Sequence, residues 1–320
     1  MRSLRVALDK DSRVITLALL LLLIALVMPS VELPHDAYDY ILVFDISQSM
    51  NVEDYQLDGA PTSRLAFAHE AARHLLRDLP CGSRVGWAAF TGYRTIPLLA
   101  PVDVCAYYND LLASLDQIDG RMRWSNASEI TKGVYWAVQT AREMKLSPAG
   151  HPDVVFITDG QEAPPLDPRN PPRLLEDLPN HAIHGWLIGT GADTPSPIPR
   201  IDEEGHRQGY WRADEVLQPS AIGDTSVPDL EHLSGLREPH LQALADQVGF
   251  NYARLTDLAS LSKALRDQRF ARRRPTPTDL YWLPASIAVL LLALRFRPDW
   301  RQLQRHSPRE GRAQATVRNR

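Results

Sequence analysis

At 320 residues and 44% hydrophobic content, the chain is long enough for one sizeable domain with appendages. Its formal net charge of -4 gives no whole-chain case for nucleic-acid binding, although residues 295–320 carry eight arginines against little acid. Charge is polarised along the chain, with positive ends around a mixed middle.

The first element is the apolar run Val14 to Met28, VITLALLLLLIALVM, preceded by Arg2, Arg5, Lys10 and Arg13. Helped by Pro29 to Val31, it covers roughly 22 to 26 Å at about 1.5 Å per residue, against a bilayer core of about 30 Å. This predicts a transmembrane helix over 14–31 behind a short cytoplasmic terminus, 1–13. A cleaved signal peptide is the rival: the positive start suits it, but no clear small-x-small cleavage site follows.

From Tyr38 the pattern alternates. Strand-like runs appear at Tyr40 to Asp45, Arg84 to Phe90, Arg94 to Leu99, Asp153 to Thr158, Ala182 to Ile188 and Asn251 to Leu255. Helical periodicity fills Ser63 to Leu79, Val104 to Leu115, Glu129 to Met144 and Glu238 to Val248. Strands alternating with helices predict an α/β fold, a doubly wound Rossmann-like sheet. The link Thr91-Gly92-Tyr93 is too short for a crossover, so the second and third runs form an antiparallel hairpin at the edge.

That hairpin brings Cys81 and Cys105, each twelve residues from Tyr93, to one end of the sheet. There they either form a disulfide or remain two separate buried thiols. His181 and His184, at odd spacing in a strand-like run, face opposite sides and suit packing better than metal ligation. Between about 194 and 228 the chain turns rich in Pro, Asp and Gly around IPRIDEEGHRQGYWRADEV, which predicts a projecting insertion hairpin near Glu204 and Gly205.

The last apolar run, LYWLPASIAVLLLAL, has Tyr281 and Trp282 at one edge and Arg295 and Arg297 at the other, and predicts a second transmembrane helix over 279–296 before a basic tail, 297–320. Positive flanks prefer the cytoplasm, which places the middle of the chain in the periplasm of a bacterial inner-membrane protein. Arg266, Arg269 and Arg272 to Arg274 stand against that orientation. The tail itself suits contact with anionic lipid, or docking of a cytoplasmic ATPase.

The chemistry concentrates where strands end, because ligands of open α/β sheets bind outside the carboxyl ends of the strands. YILVFD ends on Asp45 and turns through Ser47 and Ser49; DVVFIT ends on Asp159 and Gly160; a third turn offers Ser125, Asn126 and Ser128. Carboxylates and hydroxyls make a hard oxygen set suited to Mg²⁺, and equally to Mn²⁺ or Ca²⁺. A purely structural set of helix caps is the plainer alternative.

D-x-S-x-S at Asp45, Ser47 and Ser49, Ser128 in SEITKGV, and T-D-G at Thr158 to Gly160 together resemble the metal-ion-dependent adhesion site of the von Willebrand factor A domain, over about residues 38–270. The resemblance implies that Ser47, Ser49 and Ser128 ligate the metal directly and that Asp45 and Asp159 act largely through water. Ser128 stands where many members have Thr, but it still supplies a hydroxyl. The layout further resembles bacterial BatA and BatB membrane proteins and the methanol-oxidation proteins MxaC and MxaL. It implies a non-enzymatic, membrane-anchored module that binds a partner's carboxylate through the metal. The implied partners are a MoxR-type AAA+ ATPase and other von Willebrand proteins, in maturation of a periplasmic enzyme such as methanol dehydrogenase or of an envelope complex. The rivals are a Mg²⁺-dependent phosphohydrolase with Asp45 as nucleophile and a scaffold whose metal is architectural. The first lacks the second acid, since Ser47 stands two residues on, and no G-x-S-x-G, H-E-x-x-H or P-loop motif occurs.

Overall fold

The computed structural model describes residues 10–146, 150–167 and 183–296. The predicted tail 297–320, His181 and most of 1–13 lie outside the described residues. The chain divides into a unit of Pro34–Thr276 and a second made of its flanking segments.

In the larger unit a six-stranded sheet is built from β1 (Asp39–Asp45), β2 (Arg84–Thr91), β3 (Arg94–Asp103), β4 (Asp153–Thr158), β5 (Gly185–Gly189) and β6 (Asn251–Arg254), in the order β6-β5-β4-β1-β2-β3. All pairs are parallel except β2 with β3. The predicted edge hairpin is therefore present, with Thr91 opposite Arg94 and Arg84 opposite Asp103. Gly92 makes its turn at φ +67°, in the left-handed region that suits glycine.

The central strands are apolar throughout because both faces are covered. Tyr40, Leu42 and Phe44 of β1 join a core with α2 (Arg64–Asp78), α3 (Tyr108–Leu115) and α6 (Leu258–Leu265). Ile41 and Val43 join the opposite core with α4 (Ile130–Glu143) and α5 (Glu238–Val248). The alternation is that of consecutive residues in a pleated strand. α4 lies close on the sheet: a Cβ on Gly133 would meet the Phe90 ring at 2.2 Å.

α3 starts four residues later than its periodicity predicts, because Asp103 Oδ1 accepts from the backbone of Cys105 and Ala106 and turns the chain first. At that turn Cys105 is joined to Cys81, with Cα atoms 5.3 Å apart. The bond spans 24 residues, so in the chain-entropy model it contributes about 3.5 kcal/mol. Replacing both cysteines with serine is expected to lower unfolding free energy by about 3 kcal/mol in urea titrations, with the fold retained. A loss under about 1 kcal/mol would contradict it.

At the amino end of the sheet, Asp39 is fully buried and accepts from Arg84, Arg272 and Arg274, while Arg272 also reaches Asp153 at 3.2 Å. Arg269 pairs with Asp267. Arg272 and Arg274 are thus tied to the buried Asp39, whereas Arg269 is largely exposed.

The flanking unit holds α1 (Lys10–Val27) and α7 (Trp282–Arg295), packed against each other. A ribbon pairs the strand Val31–Ala37 with the strand Arg272–Thr278. Among the described residues no helix is long and apolar enough to cross a membrane, which corrects the two predicted spans, 14–31 and 279–296. α1 ends at Val27, two residues before Pro29, which disfavours helix in the residue preceding it and has no N–H to give. α7 has 14 residues, about 21 Å of helix.

Candidate metal centre at the carboxyl edge of the sheet

β1 lies between β2 and β4, with Asp45 opposite Phe90 and Phe44 opposite Ile157. Asp45 and Asp159 therefore leave neighbouring strands at the same edge, and both are fully buried. Asp45 Oδ1 accepts from the Ser47 backbone at 2.8 Å, a side-chain-capped turn. Its Oδ2 accepts from Thr158 Oγ1 at 2.6 Å, and Thr158 Oγ1 in turn accepts from Gly160 N. Gly160 has φ +78°, and a Cβ there would meet Leu241 at 2.8 Å, so glycine is required at this turn.

After that turn the chain winds into a short 3₁₀ segment, Gln48–Asn51, and sets Ser47 Oγ 3.2 Å from Ser49 Oγ. Ser128 comes from the loop before α4. Its backbone is held on one side by reciprocal bonds with Ala163, at 2.7 and 2.8 Å. On the other, Gly92 bonds the adjoining residues, Ala127 and Glu129. Glu162 accepts from Ile130 N, Thr131 N and Thr131 Oγ1, occupying the donors at the start of α4. The Ser128 hydroxyl is buried and has no hydrogen-bond partner among the described residues.

Ser47, Ser49 and Ser128 line one cavity of about 280 Å³. Ile198, Trp211 and Leu217, from the 194–228 segment, wall it on the apolar side. Within that segment Pro199–Ile201 pairs antiparallel with Arg207–Tyr210. Gln48 clamps it by donating to Ile201 O at 2.9 Å and accepting from Ile201 N at 3.1 Å.

Burial, and then the neighbouring Asp159, push the Asp45 carboxyl up to about 7. Two carboxylates sealed from water at one edge repel each other, and Asp45 resists ionisation beside Asp159. A divalent cation relieves that cost. Among the described residues no group of three or more His, Cys, Asp or Glu side chains is placed to hold a metal ion. The donors at this edge are instead two carboxylates and three hydroxyls, one of them an orphaned buried oxygen. That set fits a hard divalent cation, with Ser47, Ser49 and Ser128 as the hydroxyl donors.

Residues 40–161 match the family model described as the von Willebrand factor type A domain. Two curated relatives, UPF0353 proteins of Mycobacterium bovis and Mycolicibacterium paratuberculosis, are 24% and 25% identical over 286 residues. They span 87% and 86% of this chain and 75% and 74% of their own. An aerotolerance-related membrane protein from Bacteroides fragilis shares the fold at TM-score 0.50 and 20% identity, over 72% of this chain and 96% of its own. BatB from Bacteroides thetaiotaomicron aligns at TM-score 0.49 and 19% identity, over 73% of this chain and 97% of its own.

Sequence reasoning missed the residues that hold this site from behind. Arg64 is fully buried and donates from Nη1 to Asp159 Oδ2 at 2.6 Å and to Ser234 Oγ at 2.7 Å. Its Nη2 reaches Asp54 at 2.6 Å and Ser234 O at 3.0 Å. In sequence Arg64 is one more charged residue at a helix start. Only the tertiary fold shows that it is buried. Gln48, which reads as a spacer within D-x-S-x-S, is the clamp on the insertion.

Proposed function

We propose that this chain is a non-enzymatic binding module in which Ser47, Ser49 and Ser128 hold Mg²⁺, or Mn²⁺ or Ca²⁺, directly. Asp45 and Asp159 act largely through water, and a partner protein's carboxylate completes the shell. The observation that carries this reading is the unpartnered, buried Ser128 hydroxyl, whose residue lines one cavity with the Ser47–Ser49 pair. The apolar wall of Ile198, Trp211 and Leu217 favours a partner segment that brings an apolar side chain next to its acid. Phosphoryl transfer is disfavoured because both Asp45 oxygens are already engaged and the side chain is sealed from solvent.

We further read the chain as membrane-associated, with the von Willebrand domain in the periplasm of the inner membrane. α1 and α7 expose Leu23, Leu26, Val289 and Leu290, an apolar surface that a water-facing helix pair avoids. The Bacteroides fragilis protein is described as a membrane protein. In this reading the module works with a MoxR-type ATPase and other von Willebrand proteins to mature an envelope complex or a periplasmic enzyme, methanol dehydrogenase being one such enzyme.

The test is capture of tagged wild-type and Asp45→Ala chains from mild detergent, each with Mg²⁺ or EDTA. A partner retained only by wild type with Mg²⁺ is the expected result; one identical set of proteins in all four samples contradicts metal-dependent binding.

Acid pH has a defined sign. In the cation-free site Asp45 holds its proton up to about pH 7, so below that value a cation must displace it. Mg²⁺ affinity is expected to fall as pH drops from 7.5 to 5.5, by at most about tenfold per pH unit for one proton. Calorimetric titration across that range checks it; a flat profile would contradict it.

A further inference from the structure

The Arg64 guanidinium sits between two carboxylates. On one side Asp159 Oδ2 accepts from Nη1 at 2.6 Å; on the other Asp54 accepts from Nε at 3.1 and 3.0 Å and from Nη2 at 2.6 Å. Ser234 Oγ also donates to Asp159 Oδ2, at 2.7 Å, and Gln161 N donates to Oδ1 at 3.0 Å. Asp159 is therefore fixed in orientation, with its Oδ2 turned to Arg64. Asp54 is fixed in its turn by Ala192 N at 2.9 Å. The Arg64 side chain has no exposed surface, so bulk water and salt do not screen it.

We propose that Arg64 sets how tightly this centre holds a divalent cation, acting as a resident positive charge that competes for Asp159, with Asp54 moderating the competition. The inference rests on the metal-binding reading above. Asp54 and Asp159, both bonded to Arg64, and Asp45, which bonds to Ser47 and Thr158 and feels the Asp159 charge, bring three negative charges when ionised, and Arg64 returns one. The remaining two are cancelled by a divalent cation, so the loaded centre is neutral in a buried place where uncompensated charge is costly. Without Arg64 the site carries one more negative charge and holds a cation harder. Without Asp54 the arginine acts on Asp159 unmoderated, and the cation is held less firmly. Arg64 is thus a positioning residue for Asp159, without itself touching the ion.

The experiment measures Mn²⁺ binding by electron paramagnetic resonance for the full chain in detergent as wild type, Arg64→Gln and Asp54→Asn, with melting curves in EDTA alongside. Each variant breaks a buried ion pair, so both are expected to melt below wild type without metal. Their affinities are expected to move in opposite directions. Arg64→Gln should bind about tenfold tighter or more, and Asp54→Asn about tenfold weaker, because one unit charge near a dication is a large effect away from water. Affinities that shift together, or not at all, overturn the proposal and leave Arg64 as a structural post. If Arg64→Gln does not fold, unchanged or tighter binding by Asp54→Asn overturns it alone. No Mn²⁺ binding by wild type overturns the metal reading itself, and this inference with it.

Discussion

Asp45→Asn is expected to weaken Mg²⁺ binding at least about a hundredfold and, in EDTA at pH 8, to melt above wild type. These two effects of one substitution have one cause. The fully buried Asp45 carboxyl is held up to about 7 by burial and then by Asp159. With its folded value above its unfolded one, the native state binds the extra proton between about pH 4 and 7. In the cation-free protein the Asp45 contribution therefore favours folding as pH falls toward 4 and is lost as pH rises through about 7. Asparagine removes that cost at pH 8 and gives no advantage at pH 5. With Mg²⁺ the order of melting reverses, since wild type gains binding free energy in proportion to the logarithm of ligand over Kd, and the variant does not. Thermal melts at both pH values, with Mg²⁺ and with EDTA, check each arm. A wild-type curve indifferent to Mg²⁺ at pH 8 would refute the prediction.

At the other end of the sheet a second buried acid is expected to behave in the opposite way. Asp39→Ala should cost about 3–5 kcal/mol, because it removes the buried carboxylate that Arg84, Arg272 and Arg274 share. Burial raises the Asp39 carboxyl, but the hydrogen bonds and charges of Arg274 and Arg84 outweigh it and hold it below its usual value. Its contribution is therefore present above the unfolded value of about 4 and lost as pH falls through the lowered one. Asp153, the neighbour that also meets Arg272, provides the contrast. There burial outweighs Arg272 and pushes the carboxyl up to about 7, so Asp153→Asn at pH 7 should cost less than about 1.5 kcal/mol. Urea titrations of the two variants decide the matter; equal losses would contradict the assignment.

These opposite outcomes mark how far one-dimensional reading reaches. Asp45, Ser47, Ser49 and Asp159 stood out in sequence because each follows a strand-like run, and Ser128 because it lies in the turn before a helix, strand ends being where α/β sheets bind ligands. The edge hairpin was legible for the same local reason: three residues cannot make a crossover. Arg64, Asp54 and Ser234 were not, since Arg64 and Ser234 alone lie 170 residues apart and none of the three carries a local pattern. Arg272 and Arg274 were misleading in sequence. Beside an apolar run they read as membrane-flanking charges, yet they pair with Asp39, whose position depends on the far end of the domain. The predicted spans over 14–31 and 279–296 show another limit: apolar composition identifies a helix, but Pro29 follows close on the end of the first one at Val27.

What the sequence determined by itself was the alternation of strand and helix, the two-sided burial of β1 and the edge hairpin. All of these follow from periodicity and turn chemistry within about twenty residues. The tertiary structure alone decided which charges are buried against which, that Gln48 grips the insertion, that Ser128 Oγ is left without a partner, and that Cys81 meets Cys105. Such contacts arise from packing distant segments into one water-free space, where a charge or polar atom is stable only beside its complement, and that complement is a property of the fold.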